Sequence, residues 1–389
     1  MLKIELASRI RHLPPYLFAE IDVLKREARA KGIDLIDLSI GDPDLPTPAH
    51  IIESLKKAAE DPANHRYPSY EGMPAFRRAV ADWYKTRFGV KLDPETEALS
   101  LIGSKEGIGH IPLAFAEKGD VVLYTSPGYP VYPVGTLFAG AEGYALPLTE
   151  KNGFLPELES IPPDVLKRAK LLFLNYPNNP TAATADLDFF NSVAEFAARH
   201  NIIVCHDAAY SEIFTDDKRP KSFLEAKGGI ETGIEFHSLS KTYNMTGWRL
   251  GFAVGNKEVL AGLGKIKTNL DSGVFQAVQE AGITALRTDD SVLAPIRRTY
   301  EERREALYNG LKGIGIEFCA RPEATFYLWA KCPRGFDSRG FAKHLLEQTG
   351  VLGTPGVGFG APGEGFIRFS LTVPVARIEE AVSRIKGVL

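Results

Sequence analysis

Ser238, Ser240 and Lys241 form the motif S-x-S-K, and Arg249 follows shortly after them. Residues 234–237 directly before the motif are typical of a short strand, so the motif should lie where a buried strand meets a loop. The two hydroxyl groups and the guanidinium fork suit a phosphate dianion. A lysine amine in the same place can form a Schiff base with an aldehyde. By itself the motif is a weak signal, because most lysines in such patterns are solvated surface residues.

The combination of an amine and a phosphate site favours one kind of small molecule. Pyridoxal 5'-phosphate (PLP) carries both an aldehyde and a phosphate, so it is the candidate cofactor. Lys241 would then be the catalytic residue, first holding the cofactor and afterwards moving a proton between the substrate Cα and C4' of the cofactor. Burial and cationic neighbours would lower the pKa of such a lysine, which suits this role.

The middle of the chain alternates short apolar runs with helix-like stretches, which predicts a mainly parallel α/β sheet whose strands all run the same way. The predicted strands are 98–102, 121–124, 171–174, 202–205, 234–236 and 250–254, and a predicted helix covers 186–199. Polar clusters follow five of these strands, at 103–105, 126–129, 175–181, 207–210 and 238–241. Because ligands bind at the carboxyl ends of parallel strands, these clusters should meet in one crevice.

The two ends of the chain predict a second, smaller α+β domain. A helical stretch over 291–311 leads into probable strands at 325–329 and 366–371, and residues 41–48 form a loop rich in proline and aspartate. We expect a large cofactor-binding domain over residues 46–285. The small domain would combine residues 1–45 with 286–389.

The composition is that of an ordinary globular protein and excludes several classes of function. Of the 389 residues 44% are hydrophobic, and the net charge of -3 gives no electrostatic case for a nucleic acid or an anionic membrane as partner. The N-terminus lacks the apolar region of a signal peptide, so we expect a cytoplasmic protein. The three cysteines have no C-x-x-C spacing, and the eight histidines form no metal-binding pattern.

The motifs and their order resemble the class I and II aminotransferases, which are fold-type I PLP-dependent enzymes. The resemblance runs from Gly41 to Arg368. It implies a large domain with a mainly parallel seven-stranded sheet, a smaller α+β domain, and a homodimer with shared active sites. The cofactor-binding residues that it implies are Tyr70, Ser104, Lys105, Tyr129, Asn179, Asp207, Tyr210, Ser238, Ser240, Lys241 and Arg249. The substrate-binding residues that it implies are Gly41, Arg368, Lys105, Asn179, Tyr16, Tyr129 and Asn269.

The resemblance also gives individual residues a role around the cofactor ring. Asp207 would accept a hydrogen bond from the protonated pyridine nitrogen, although an aspartate after a strand is equally often a helix N-cap. Tyr210 and Asn179 would bind the phenolic oxygen. Tyr129 would stack on the ring, and otherwise it is a turn aromatic.

Further roles concern the substrate and the partner subunit. Arg368 would bind the substrate α-carboxylate together with the Gly41 backbone, and the alternative is a solvated arginine on an exposed strand. Tyr70 would reach the phosphate of the partner subunit, and the alternative is a surface aromatic in a turn. Where the family commonly has N-P-T-G, this chain ends the motif with Ala182. Alanine fits there if its φ is negative, so we expect a local adjustment of the backbone.

Substrate choice is the least specific part of the pattern. The stretches 103–107 and 240–252 look most like those of LL-diaminopimelate aminotransferases, which make LL-diaminopimelate from tetrahydrodipicolinate with glutamate as donor. Lys105 would bind the distal carboxylate, while Glu71 is the only acidic residue in the short loop near Tyr70. Aspartate or alanine aminotransferase activity and a carbon–sulfur β-lyase remain alternatives. A ligand-sensing regulator would need a DNA-binding module, for which the residues before Gly41 are too few.

Overall fold

The computed structural model describes residues 2–14, 17–215 and 218–389. Within these ranges it contains twelve strands and fifteen α-helices, with seven short 3-10 turns between them. The strands are β1 (Ile36–Asp37), β2 (Ala98–Leu101), β3 (Val121–Ser126), β4 (Glu142–Pro147), β5 (Ala169–Asn175), β6 (Ile203–Asp207), β7 (Gly233–Ser238), β8 (Gly251–Gly255), β9 (Tyr327–Lys331), β10 (Val351–Leu352), β11 (Thr354–Pro355) and β12 (Phe366–Ser370).

The helices cover both ends and the middle of the chain. They are α1 (Ser8–Arg11), α2 (Leu17–Ala30), α3 (Ala49–Ala59), α4 (Pro74–Phe88), α5 (Ser104–Phe115), α6 (Val131–Ala139), α7 (Pro163–Leu166), α8 (Leu187–His200), α9 (Gly229–Thr232), α10 (Leu239–Thr242), α11 (Lys257–Leu270), α12 (Gln276–Leu286), α13 (Asp290–Gly313), α14 (Ser338–Thr349) and α15 (Val375–Lys386). The predicted helix over 186–199 is confirmed as α8. Asp186 accepts from the Phe189 N–H at its start, and Asn201 ends it in the left-handed conformation.

The central sheet has seven strands in the order β2-β8-β7-β6-β5-β3-β4. The pairs β4–β3, β3–β5, β5–β6 and β6–β7 are parallel, which confirms the predicted mainly parallel sheet. The expectation that every strand runs the same way is wrong for β8, which is antiparallel to both β2 and β7. The connection from β7 to β8 is a compact loop around α10, too short to cross the sheet with a long helix.

The predicted strands correspond to apolar runs that are buried on both faces. β5 is the clearest case, with six of its seven residues buried, because helices cover both faces of the sheet. On one side α5 and α11 contribute Ile108, Ile111 and Leu263 to a shared cluster. On the other side α4, α8 and α12 pack with the same sheet. β4 was not predicted, because it is an edge strand with only Leu146 buried and has no apolar run.

A second core lies at the C-terminal end of the chain. β11, β12 and β9 form an antiparallel sheet, and β1 pairs in parallel with β10, so the N-terminal segment returns to this region. Ile36 and Leu38 share a buried cluster with residues of α13, α14 and α15. β9 begins at Tyr327 and not at Thr325, because Thr325 has a positive φ of 64° and bonds to the Ile213 carbonyl. The domain boundaries at residues 45 and 286 stay a prediction. No helix in the described ranges is long and apolar enough to cross a membrane.

Candidate active site

Most of the predicted site residues lie around one cavity of about 330 Å³ at the carboxyl ends of the central strands. The strands place these side chains because each polar cluster follows directly where a strand ends. The predicted residues that line the cavity are Gly41, Ser104, Lys105, Tyr129, Asn179, Asp207, Tyr210, Ser238, Ser240, Lys241, Arg249 and Arg368. The expected crevice is therefore present.

Lys241 lies on α10, directly after β7, and its Nζ donates a hydrogen bond to the Gly41 carbonyl at 2.8 Å. Burial lowers its pKa to about 8, the Asp42 carboxylate opposes this shift, and the positive charges of Arg368 and Arg249 add to it. An amine with this pKa is partly unprotonated near neutral pH, as a nucleophile or a proton carrier must be.

A group of donors suited to an anion lies beside Lys241. Arg249 adopts the left-handed conformation and donates from Nη1 to the Thr246 carbonyl at 2.7 Å. A Cβ on Gly103 would lie 2.3 Å from Arg249 Nη2, and Gly103 has a φ of +72°, so only glycine fits between the guanidinium and the start of α5. The first N–H groups of α5 and the Ser238 and Ser240 hydroxyls complete this anion cup.

Asp207 ends β6 at the bottom of the cavity and is buried. Its Oδ2 accepts from the Tyr132 hydroxyl at 3.0 Å and its Oδ1 from the Ala209 N–H at 3.3 Å. Burial raises the pKa of its carboxyl group, although both hydrogen bonds oppose this. The N-cap alternative is wrong, because a turn follows Asp207 and the next α-helix along the chain begins at Gly229.

Arg368 is a buried arginine on β12, so the alternative of a solvated arginine is wrong. Its Nη1 donates to Asn179 Oδ1 at 2.7 Å and its Nη2 to the Ser39 carbonyl at 2.6 Å. Its guanidinium carbon lies 4.2 Å from the centre of the Tyr327 ring. A planar, charged fork held in this way matches a carboxylate.

Two tyrosines form the wall of the cavity between Arg368 and Lys241. The Tyr210 and Tyr327 hydroxyls are hydrogen-bonded at 2.8 Å. Burial raises the pKa of Tyr210 well above its ordinary value, so its hydroxyl keeps its proton and can donate it in a hydrogen bond. A Cβ on Gly41 would lie only 1.8 Å from the Tyr327 oxygen, which explains the glycine at that position.

Sequence reasoning gave no role to several residues in or next to the cavity, among them Tyr132, Asn175, Tyr327 and Asp42. Tyr132 lies three residues after Tyr129, in the first turn of α6, and this spacing is the only local signal for it. Asn175 donates to the Asp207 carbonyl at 2.7 Å and accepts from the Asn179 N–H at 2.7 Å. Tyr327 and Asp42 line the cavity, and neither carries a local signal for the site.

Two of the predicted residues that the structure describes are not among those that line this cavity. Tyr70 is 46% exposed in the loop before α4, and Asn269 is exposed near the end of α11, where its Nδ2 bonds to the Lys265 carbonyl at 2.8 Å. Tyr16 lies outside the described residues. Lys105 lines the cavity but is exposed at its rim, which weakens any ion pair that it makes with a ligand.

The expectation of a negative φ at Ala182 is wrong. Its φ is +61°, the left-handed conformation for which glycine is the usual residue. Its N–H bonds to the Asn178 carbonyl at 2.9 Å, so the tight turn is kept and the alanine bears the strain.

Comparison with known proteins identifies the family. Residues 33–385 match the family model described as aminotransferase class I and II. This chain belongs to the class I and II aminotransferases. It is 59% identical over 380 residues to an LL-diaminopimelate aminotransferase of Syntrophobacter fumaroxidans, covering 98% of both chains.

Solved structures share the whole architecture. A probable N-succinyldiaminopimelate aminotransferase from Thermus thermophilus is 39% identical with a TM-score of 0.90, covering 96% of this chain and 100% of that one. A substrate-bound structure of BacF from Bacillus subtilis is 39% identical with a TM-score of 0.94, covering 100% of this chain and 98% of that one. The predicted fold-type I architecture and aminotransferase activity are therefore confirmed. Aminotransferases of this family act on amino acids and 2-oxo acids.

Proposed function

We propose that this aminotransferase uses PLP and catalyses LL-diaminopimelate:2-oxoglutarate amino transfer, forming LL-diaminopimelate from tetrahydrodipicolinate and glutamate in lysine biosynthesis. The observation that carries the proposal is the position of Lys241, between the anion cup and the Arg368 fork in one cavity. The high identity to relatives of that name over their full length supports the choice of substrate.

The chemistry of the donor set fits PLP. The anion cup supplies hydroxyls, helix N–H groups and one guanidinium for a phosphate. Asp207 supplies a buried carboxylate, and a cation beside it would offset the cost of its burial. When bound, the cofactor ring supplies an electron sink for the negative charge that develops at the substrate Cα.

The side chains of this chain would then divide the remaining work. Lys241 would bind the cofactor and later move a proton between the substrate Cα and C4' of the cofactor, for which its lowered pKa is suited. Tyr210 would donate to the phenolic oxygen, and so would the Asn179 amide nitrogen, because the Asn179 Oδ1 already accepts from Arg368. Tyr129 would cover the ring face.

Recognition of the substrate would use both ends of the cavity. Arg368 would bind the α-carboxylate with two N–H groups, and the Gly41 backbone lies beside it. Lys105 would attract the distal carboxylate at the rim. We also propose that the functional unit is a homodimer in which Tyr70 completes the phosphate site of the partner subunit, because Tyr70 does not line the cavity of its own chain.

The test of this function is glutamate formation from 2-oxoglutarate by the purified, PLP-loaded protein. LL-diaminopimelate, meso-diaminopimelate, aspartate and alanine are offered side by side, with Lys241→Ala as the inactive control. Strong turnover of the LL isomer alone supports the proposal. Preference for aspartate or alanine would replace the substrate assignment, and pyruvate release from cystathionine without an acceptor would indicate a β-lyase.

A further inference from the structure

Asp42 is a carboxylate in the cavity to which the proposed function assigns no role. It follows Gly41 at the start of the 41–48 loop and lines the cavity with an exposed side chain. Within the described residues its carboxylate has no hydrogen bond and no ion pair. Its neighbour Asp44 differs, because both carboxylate oxygens of Asp44 accept from the Arg303 guanidinium, at 2.6 and 2.8 Å.

The charges around the cavity make Asp42 unusual. Among the described residues that line the cavity, four are cationic, namely Lys105, Lys241, Arg249 and Arg368, and two are carboxylates, Asp42 and Asp207. Asp207 is buried and already accepts two hydrogen bonds. Asp42 is thus the carboxylate of this lining that is open to a ligand. Its charge also acts on the Lys241 amine, so it lies within electrostatic reach of the reacting centre.

A diamino dicarboxylate brings a second ammonium group into this cationic cavity. The Lys105 ammonium would attract the distal carboxylate of such a substrate, but it would repel the distal ammonium. A carboxylate of the protein must therefore face that ammonium. Sequence reasoning pointed to Glu71 as the acidic residue near Tyr70, but Glu71 does not line the cavity of its own chain. Its backbone carbonyl accepts from the Ser100 N–H at 2.9 Å, in the exposed loop that carries Tyr70.

We propose that Asp42 binds the distal ammonium group of the substrate and sets the preference for diamino over monoamino dicarboxylates. This inference rests on the proposed function, since it explains how the same site reads the second amino group. An Asp42 amide would keep the shape of the side chain and remove only its charge.

The test compares two ligands that differ only in that ammonium group. LL-diaminopimelate and L-2-aminopimelate have the same carbon chain and both carboxylates, so the ratio of their kcat/KM values isolates recognition of the second amine. In the PLP-loaded wild type we expect a ratio above about ten, and in Asp42→Asn a ratio lowered by about tenfold, mainly through KM. Because both ligands react at Lys241, a changed pKa of that amine cancels in the ratio.

The matched control is Glu71→Gln, which removes the rival carboxylate and should keep the wild-type ratio. An unchanged ratio in Asp42→Asn overturns the assignment, and so does a ratio that falls in Glu71→Gln instead. In either case LL-diaminopimelate turnover by the wild type upholds the proposed function. Equal losses for both ligands in Asp42→Asn also overturn it and make Asp42 a modulator of Lys241. A wild type that does not use LL-diaminopimelate overturns both proposals.

Discussion

At the scale of single residues, Lys241 lies where its protonated form is disfavoured. Burial lowers its pKa from 10.5 to about 8, so in cofactor-free protein the reactive neutral amine should increase through pH 8. We expect acylation of Lys241, followed by mass spectrometry of its peptide, to show a midpoint near that value. Surface lysines of the same sample are the internal control, since the ordinary pKa of a lysine in water is about 10.4. A Lys241 midpoint among theirs would contradict the prediction.

Ala182 provides a second prediction at this scale, because its left-handed conformation is strained. Ala182→Gly removes the Cβ that makes a φ of +61° costly, and should stabilise the folded state by about 1 kcal/mol. The measurement is the unfolding midpoint in a denaturant titration. Ala198→Gly, inside α8, is the matched control and should destabilise by about 1 kcal/mol. A loss of stability in Ala182→Gly would show that the turn has already absorbed the strain.

At the scale of elements, the buried carboxylate of Glu235 connects β6 and β7, the two strands that lead into Asp207 and Ser238 of the site. Glu235 on β7 accepts from His206 Nδ1 at 3.0 Å and from His237 Nε2 at 2.8 Å. His206 Nε2 accepts the Tyr176 N–H, so the His206 proton lies on Nδ1 and is directed at Glu235. These histidines directly precede Asp207 and Ser238. Glu235 also accepts from the Tyr84 hydroxyl, the Ser222 hydroxyl and the Phe223 N–H. The network thus fixes β6 against β7 where the site begins.

Removing the charge of Glu235 should therefore weaken the fold. Burial alone raises the pKa of this carboxyl, but the hydrogen bonds from His206 and His237 outweigh it and hold the pKa well below its ordinary value. In Glu235→Gln the amide NH₂ would face groups that are themselves donors, such as His206 and His237, so hydrogen bonds are lost in a buried place. The free energy of unfolding should therefore fall by about 2–4 kcal/mol at pH 7. The measurement is a denaturant titration at pH 7, with exposed Glu195→Gln as the control, expected within about 0.5 kcal/mol of wild type.

The pH dependence of the same variant gives an independent check. Because the folded-state pKa of Glu235 is lowered, its contribution is complete above the unfolded pKa of about 4.5 and declines as the pH falls below it. The difference between wild type and Glu235→Gln should therefore shrink in acid. A difference that stays constant down to about pH 3 would mean that shape, and not charge, sets the cost.

The elements also show what the sequence can and cannot predict. Buried strands such as β5 are predictable because their apolar runs are continuous, and the polar residues that follow them identify most of the cavity lining. The direction of β8 was predicted wrongly and the edge strand β4 was not predicted, since neither leaves a local pattern. Tyr327 and Asp42 reach the cavity, and Tyr132 reaches Asp207, only through packing between distant segments, and no local spacing encodes such contacts.

At the scale of the whole molecule, two adjoining loops leave aromatic and aliphatic side chains exposed. Tyr67 is 89% exposed, and Leu270 and Phe275 are 59% and 43% exposed. The loops touch each other, because Gln276 Nε2 donates to the Ala63 carbonyl at 3.2 Å. Exposed apolar surface of this kind is typical of an interface. Tyr70 lies in the same loop as Tyr67, which agrees with the proposed homodimer.

Subunit mixing tests whether Tyr70 serves the partner's site. Tyr70→Ala and Lys241→Ala should each impair the homodimer, the latter completely. Co-expressed with two affinity tags, the variants also form mixed dimers, in which one site combines an intact Lys241 with an intact Tyr70 if the sites are shared. Random pairing should then restore about one quarter of wild-type activity to the mixture, and about half to the purified mixed dimer.

The activity of the mixed dimer shows whether Tyr70 serves the site of its own chain or that of the partner subunit, because the two arrangements predict different activities. If Tyr70 served its own chain, every site of the mixed dimer would lack either Tyr70 or Lys241, and activity would not exceed half that of the Tyr70→Ala homodimer. Ser192→Ala, a change of an exposed residue on α8, replaces Tyr70→Ala in the control mixture. Its mixed dimer with Lys241→Ala should keep half of wild-type activity whichever way Tyr70 points, so the control calibrates subunit exchange independently of the shared site.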